Sequence, residues 1–460
     1  MATHNSMFKL VTKNIVFVKP SQPIPSSILS LSSFDNRPDL DDVFKTVSVY
    51  QSTNHDSFFG QSDLALVFKE ALSKTLLYYY PLVGRLVKYA DGDYKIHFNS
   101  ADCGVPFLEA VADCHLSSIH YLDGIDLEIA KHFAIDLPLE DENGHQYPFM
   151  FKVTRFPCGG FIIGLAISHR LCDGFGALQL SKAINELARG NSEPSVKPVW
   201  ERERLVGSKT KLPFQDLMDV ASAAISPFEA STVLVHECFK VDQESIRRVK
   251  MRLMKESGNE TMKEKSVTTF EALAACVWRS RARALQLNHE GKTILILTMG
   301  MRGDLDPPLP DGYYGNAISE AYVTLTVKEL NEKPLLEVMK AIRETKEAAL
   351  NVEHIRNKID TTFPSLEYFN NFGFAFMSMT DWRHLGVMEN LDYEGSKLEN
   401  AIPIPDNESM FECIITPPCK LEPSMKGGAR LFLSLPSAAM IKFRREMEVL
   451  GFSNHLHESA

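Results

Sequence analysis

No run of apolar residues in this 460-residue chain approaches the roughly 18 to 20 that a bilayer-spanning helix needs, so no membrane partner is expected. Cysteine is scattered. Cys103, Cys114, Cys158, Cys172, Cys238, Cys276, Cys413 and Cys419 include no Cys-x-x-Cys pair, which argues against a zinc ribbon or a dithiol redox centre. Positive charge is short as well: 49 Lys and Arg face 59 Asp and Glu, and a formal charge of −10 lacks the basic footprint that a nucleic acid demands. The sequence contains no Gly-x-Ser-x-Gly elbow, no His-Glu-x-x-His, no phosphate-binding Gly-x-x-x-x-Gly-Lys-[Ser/Thr] loop, and no Gly-x-Gly-x-x-Gly after a strand. The first twenty residues, broken by Lys9 and Lys13, do not read as a secretory leader. Reduced thiols and a cytoplasmic location are therefore expected.

What is present is a globular composition, 44% hydrophobic and 23% charged. The chain exceeds the length at which single cores stop growing, which predicts two domains. Residues 149–169 read as a hairpin: FMFKVTRF, the turn Pro157-Cys158-Gly159-Gly160, then the apolar run FIIGLAIS ending at His169. A helix follows, with Ala177, Leu180, Ile184 and Leu187 at steps of three and four and a stop at Gly190. Residues 191–225 carry prolines and little periodicity, and read as a linker between a domain at 1–190 and another at 226–460. In the latter, helices are predicted over 270–285 and within 328–352, and strands over 293–299 and 429–435. Strands and helices mixed in both halves predict an α/β or α+β class with large sheets. The basic stretch from Arg247 to Lys265 reads as a solvated helix face and loop, or as a patch for a small phosphorylated ligand.

The sharpest chemical candidate is His169-Arg170-Leu171-Cys172-Asp173-Gly174. With 14 histidines, chance supplies on the order of one His-x-x-x-Asp, and His132 to Asp136 repeats the spacing. Context separates them. His132 and Asp136 sit in an amphipathic stretch, whereas His169 ends a buried strand where the chain turns toward a helix. Histidine, with an ordinary pKa of about 6.5, is largely neutral near pH 7 and can accept a proton from an alcohol or amine. Asp173 is placed to cap the helix that begins at Gly174.

These residues resemble the HxxxDG motif of the BAHD acyltransferases. Tyr80-Pro81-Leu82-Val83-Gly84-Arg85, Pro198-Val199-Trp200, Phe270-Glu271 through Trp278-Arg279, and Pro307 to Pro310 with Gly312-Tyr313-Tyr314-Gly315-Asn316 are similar to further ordered elements of that family, spread along nearly the whole chain. The resemblance implies two similar-sized, chloramphenicol-acetyltransferase-like domains of mixed α/β structure around a central solvent channel. It implies transfer of an acyl group from an acyl-CoA co-substrate to an alcohol or amine, with His169 as general base and no permanently bound cofactor or metal. It further implies structural support from Asp173 and Gly174, and a monomer acting on small molecules.

The departure from the family lies at its DFGWG signature, which is Asp392-Tyr393-Glu394-Gly395-Ser396 here, one residue further from Trp382 than usual. By resemblance, Arg302 pairs with Asp392, and an Asn near Arg302 is replaced, with Gly300 in its place. Thr380 occupies a position where the family puts a hydroxyl beside the thioester carbonyl; a threonine capping the turn before Asp381 is the alternative. Trp382 and Tyr393 are candidate substrate contacts. Phe161, Phe374 and Phe376 are further aromatics for a benzoyl- or hydroxycinnamoyl-type group, or else core residues. Two rival readings follow from the sequence: a non-catalytic binding homologue that lost its DFGWG segment, and a peptide-synthesis condensation domain, against which Ser168 stands in place of a first histidine.

Overall fold

The computed structural model describes residues 2–5, 8–53, 63–98, 104–124, 127–135, 140–208, 212–214, 217–229, 233–256, 267–393, 395–405 and 412–452. Its architecture is the mixed α/β arrangement expected, built on two large sheets. In the first, strands Ala2–Asn5, Phe8–Thr12, Val105–Ala112, Phe149–Arg155, Phe161–Ser168, Val43–Ser52 and Ser396–Ile404 lie side by side, with Val16–Val18 added to Val105–Ala112. In the second, the order is Leu234–Val241, Ala429–Pro436, Glu412–Thr416, Phe376–Asp381, Lys292–Gly300 and Ile318–Thr326. Phe376–Asp381 runs parallel to both of its neighbours.

The FIIGLAIS run forms its strand because each residue can be buried there. Antiparallel partners on both edges saturate its backbone, and all eight side-chain positions are buried. One face, with Ile163, Leu165 and Ile167, packs against Phe68, Leu180 and Ile184 of helices Leu64–Tyr78 and Gly174–Ala188. The other face, with Ile162, joins Val47, Val49 and Ile402 against Phe432, Ile414 and Cys238 of the second sheet. That seam is where the two halves meet. The second half has a larger core of its own, centred on helix Thr269–Ala284. The helix predicted within 328–352 is two, Val327–Glu332 and Leu335–Ala349, because Pro334 has no N–H with which to continue the first.

One expectation about organisation needs correction. The division at 191–225 assigns residues 396–404 to the second half, yet Ser396–Ile404 is an edge strand of the first sheet, paired with Val43–Ser52. Val47, Val49 and Ile402 share one apolar cluster. The linker is packed against the second half. Val199 N–H donates to Gly312 O at 2.9 Å, and three residues on, Arg202 is 1% exposed.

Buried ion pairs tie the halves together. Glu320, on a strand of the second sheet, meets Arg37 of the first half at 2.5 Å and Lys358 at 2.9 Å. Burial alone would push this carboxyl up; the charges of Arg37 and Lys358 overturn that and bring it to about 2. Elsewhere Arg430 donates to Asn400 Oδ1 at 2.7 Å and Ala401 O at 3.0 Å, pinning the exchanged strand to the second sheet.

A group whose folded pKa is depressed contributes stability above its unfolded value, about 4.3 for Glu, and loses it as pH falls toward the folded value. Denaturant melts across pH should show Glu320→Gln less stable than the parent by about 3 to 5 kcal/mol at pH 7, with the gap closing between about pH 4.5 and pH 2. A pH-independent gap would contradict the pairing.

Candidate active site

His169 stands one residue beyond the strand Phe161–Ser168, half-buried, with its N–H donating to Asp42 O at 3.0 Å. Its ring packs edge-on against Phe44, with centroids 5.6 Å apart. Nδ1 is buried without a hydrogen-bond partner, which leaves Nε2 as the nitrogen available for chemistry. His132, the repeat of the spacing, follows the short helix Leu127–Lys131 and lies edge-on to Phe8, with its carbonyl accepting from Lys152; it is a packing residue, and Asp136 lies outside the described residues.

Asp173 is the cap that the sequence indicated, accepting from Gly176 N–H at 3.0 Å. It does more than cap. Arg302 Nη2 lies 2.8 Å from Asp173 Oδ1, and Ala317 N–H donates to Oδ2 at 3.0 Å. Burial raises this carboxyl, but the Arg302 guanidinium and the backbone donors outweigh burial and hold it below the ordinary carboxylate range. The expected pair of Arg302 with Asp392 is therefore not formed. Arg302 leaves the carboxyl end of strand Lys292–Gly300 and turns to Asp173, with Gly315 O as a second acceptor at 2.7 Å. Asp392 sits at the first sheet's exchanged strand, accepting from Leu398 N–H at 2.9 Å, with Lys420 3.6 Å away on the surface.

The segment Gly312 to Ala317 lies against the whole turn. A Cβ at Gly176 would stand 2.0 Å from Tyr314 O, and one at Gly315 would stand 1.8 Å from Arg202 Nη1, so glycine at both places is what lets the pieces approach. Asn316 donates through Nδ2 to His169 O at 2.7 Å and to Asp35 Oδ1 at 2.9 Å. Asp35 Oδ2 lies 2.9 Å from Arg202 Nε, both residues being fully buried. Arg202 Nη2 donates to Leu171 O at 2.8 Å, and its guanidinium lies over Trp200 and Tyr314. Arg170 adds bonds to Asp41 and to the carbonyls of Asp35 and Arg37. Asp35, Arg202 and Asn316 were not singled out from the sequence. Asn316 alone had a signal there, as the last residue of GYYGN.

Beside the turn a cavity of about 830 Å³, counting the space at its mouth, is lined by Phe44, Thr46, Ser48 and Tyr50 of one strand, and by Ile163, Leu165 and Ile167 of the next. Ala177, Ser181 and Ile184 of helix Gly174–Ala188 line a further side, and Trp382, Leu385 and Tyr393 close it. The strand's two-residue period explains the first set, since alternate side chains of Val43–Ser52 share one face. Gly174 is part of the wall, and a Cβ placed on it would meet Leu385 at 3.0 Å and the Trp382 indole nitrogen at 3.9 Å. The carboxyl ends of two parallel strands thus deliver Arg302 and Trp382 onto the N-terminus of one helix. Ligands in open α/β sheets bind at such strand ends.

Tyr393 is buried among Tyr50, Phe68 and Phe161, with centroids 5.1, 5.3 and 5.8 Å away. Burial, followed by the neighbouring hydrogen-bonded tyrosine, drives the phenol of Tyr50 well above its usual range. Within the altered signature Tyr393 and Ser396 exchange backbone bonds at 2.9 and 3.0 Å, and Gly395 has φ +73°. Thr380, half-buried on its strand, pairs in register with Thr298 and Ile414. The following turn is capped by Asp381, which accepts from Arg383 N–H at 3.0 Å, so Thr380 is not the capping residue. Phe374 and Phe376 belong to the second core, and Phe161 stacks behind Tyr50 at 4.7 Å. Gly300 has open space where a side chain would stand. Of the basic stretch, residues 247–256 lie on helix Gln243–Glu256, with Arg247 paired to Glu244, and 257–265 lie outside the described residues.

A family model described as the transferase family matches residues 8–450. A spermidine sinapoyl-CoA acyltransferase of Arabidopsis thaliana is 37% identical over 443 residues, which cover 94% of this chain and 95% of that protein. A spermidine coumaroyl-CoA acyltransferase of the same plant is 35% identical over 450 residues, covering 96% and 95%. The crystal structure of vinorine synthase shares the fold with a TM-score of 0.73 at 19% identity, covering 96% of this chain and 98% of that one.

The two carboxylates separate experimentally. Asp173→Ala should lower stability by about 3 kcal/mol, since it strands a partly buried guanidinium and uncaps a helix. The Asp173 contribution is complete above about pH 4 and fades on acidification, because its folded pKa is the lower one. Asp392→Ala should cost within about 1 kcal/mol, as exposed pairs do. Equal losses in denaturant melts would contradict this assignment of Arg302's partner.

Proposed function

The chain belongs to the BAHD transferase family and is an acyl-CoA-dependent O- or N-acyltransferase, and on that premise we propose that His169 is the general base transferring an aromatic, hydroxycinnamoyl-type acyl group to an amine or alcohol. The observation that carries the choice of acyl group is the cavity lined by Phe44, whose ring packs on His169, and by Gly174. Its walls are aliphatic and aromatic, and hydroxyls of Thr46, Ser48, Tyr50 and Ser181 give it sparse polar points. Two relatives at 37% and 35% identity carry sinapoyl-CoA or coumaroyl-CoA, and spermidine, in their names, which supports such a donor and makes a polyamine the first acceptor to test.

In the proposed reaction the acceptor's N–H or O–H approaches His169 Nε2 as its heteroatom attacks the thioester carbonyl. The proton passes to the imidazole, the carbonyl π electrons move onto oxygen, and a tetrahedral intermediate forms. Collapse re-forms the carbonyl and breaks the carbon–sulfur bond. The imidazolium then returns its proton to the departing thiolate. Thr380, on the strand whose end carries Trp382, is the proposed hydroxyl donor to the oxyanion, an interaction worth roughly 3 kcal/mol when preorganised. Asp173 takes no proton in this scheme; its oxygens are engaged by Gly176, Ala317 and Arg302.

Steady-state assays of the full chain with coumaroyl-CoA and spermidine, read by mass spectrometry, provide the test. His169→Ala should reduce kcat by about 10² to 10⁴-fold, the range for a lost general base, and retention of near-parental turnover would remove His169 from the mechanism. Acetyl-CoA should be the poorer donor by at least about tenfold in kcat/KM; parity would reject the aromatic assignment. No thermal shift with coenzyme A and no turnover with any donor would favour a non-catalytic homologue instead.

A further inference from the structure

We infer that Asn316 is the positioning residue that sets where His169 stands relative to the second half of the molecule, an inference that rests on the reading of His169 as the base. The peptide of His169 is held on both sides. Its N–H is anchored within the first half, on Asp42 O at 3.0 Å. Its carbonyl is anchored across the halves, by Asn316 Nδ2 at 2.7 Å.

The other bonds from outside the first domain grip the far end of the turn. Ala317 N–H and Arg302 hold Asp173, and Arg202 from the connecting segment holds Leu171 O. None of these reaches His169 itself. Among the described residues, the amide of Asn316 is therefore the hydrogen bond that joins the base to the sheet carrying Thr380 and Trp382. In the proposed reaction the acceptor meets the thioester at His169, so a shift of the His169 backbone changes the distance over which the proton travels. Misplacement by about 1 Å at a reacting group is enough to cost about 10²-fold.

The Asn316 side chain is itself rigidly placed. It is 0% exposed, and its second amide hydrogen and its own backbone N–H both reach Asp35 Oδ1, at 2.9 and 3.1 Å. Asp35 Oδ2 is fixed in turn by Ser32 N–H at 3.1 Å and by Arg202 at 2.9 Å. A serine, leucine or glutamine would not reproduce this geometry. Only a short planar amide offers two donors in one plane to a carboxylate on one side and a peptide carbonyl on the other.

The test compares Asn316→Ala, Asn316→Ser and the control Ser319→Ala in the full-length protein, with kcat, KM for each substrate and melting temperature measured together. Ser319 is equally buried on the neighbouring strand and bonds Ala349 O at 2.8 Å, away from the turn. Asn316→Ala should lower kcat by about 10- to 100-fold with both KM values within about threefold. Ser319→Ala should lower the melting temperature and leave kcat unchanged. If Asn316→Ala does not fold, Asn316→Ser, which retains a hydroxyl and leaves a smaller void, carries the same comparison and should show a reduced kcat at unchanged KM. A kcat within about twofold of the parent in the folded Asn316 variants, or a matching kcat loss in Ser319→Ala, would overturn the inference. His169→Ala in parallel keeps the two readings apart: an active His169→Ala defeats the base, whereas an inactive His169→Ala beside a fully active Asn316→Ala defeats only the positioning role.

Discussion

The structure turns on one buried contact, the attachment of the His169-to-Asp173 turn to the backbone and side chains of residues 315–317. A turn at the end of a strand has unpaired peptide groups, and burial makes each one costly unless a partner is supplied. Here the partners come from the opposite half: Asn316 for the carbonyl of His169, and Ala317 and Arg302 for the carboxylate of Asp173. Hydrogen-bond satisfaction and assembly of the site are thus one event. The turn is complete only when the second sheet is in place.

The same economy explains the charged residues packed around it. Asp35, Arg202, Arg37 and Glu320 are buried, and each meets an opposite charge at 2.5 to 2.9 Å. Such pairs are weak contributors to net stability but strong selectors of geometry, because any other arrangement strands a charge. They hold the strand Ile318–Thr326 and the connecting segment against the first half. The cavity lined by Phe44 and Gly174 has by contrast no charged residue in its wall. The altered DFGWG segment is part of that cavity, for Tyr393 is one of its walls. The departure of the sequence from its family lies at this wall, away from the Asp173–Arg302 pair.

Much of this was legible beforehand. FIIGLAIS announces a strand buried on both faces, Asp173 before Gly174 announces a helix cap, and the ordered motifs place the chain in its family. These are local statements, carried by periodicity, capping chemistry and residue order, and they survive in any context that buries the apolar face. The hexapeptide also offered His169 as the candidate base, because its setting at a strand end distinguishes it from His132.

What the sequence could not determine is which distant groups share a contact. Arg302 lies 129 positions from Asp173 and Asn316 lies 147 from His169, and no periodicity reports separations of that kind. Residues 396–404 carry no local sign of which sheet they join, and their place in the first sheet goes with the apolar cluster they complete with Val47 and Val49. Likewise Asp35 and Arg202 are ordinary charged residues in sequence, and only their joint burial turns them into parts of the site. The sequence by itself determined the elements, the family and the candidate for the reactive residue. Tertiary packing decided the partners, because burial cost is paid by whichever groups the fold brings within hydrogen-bond reach.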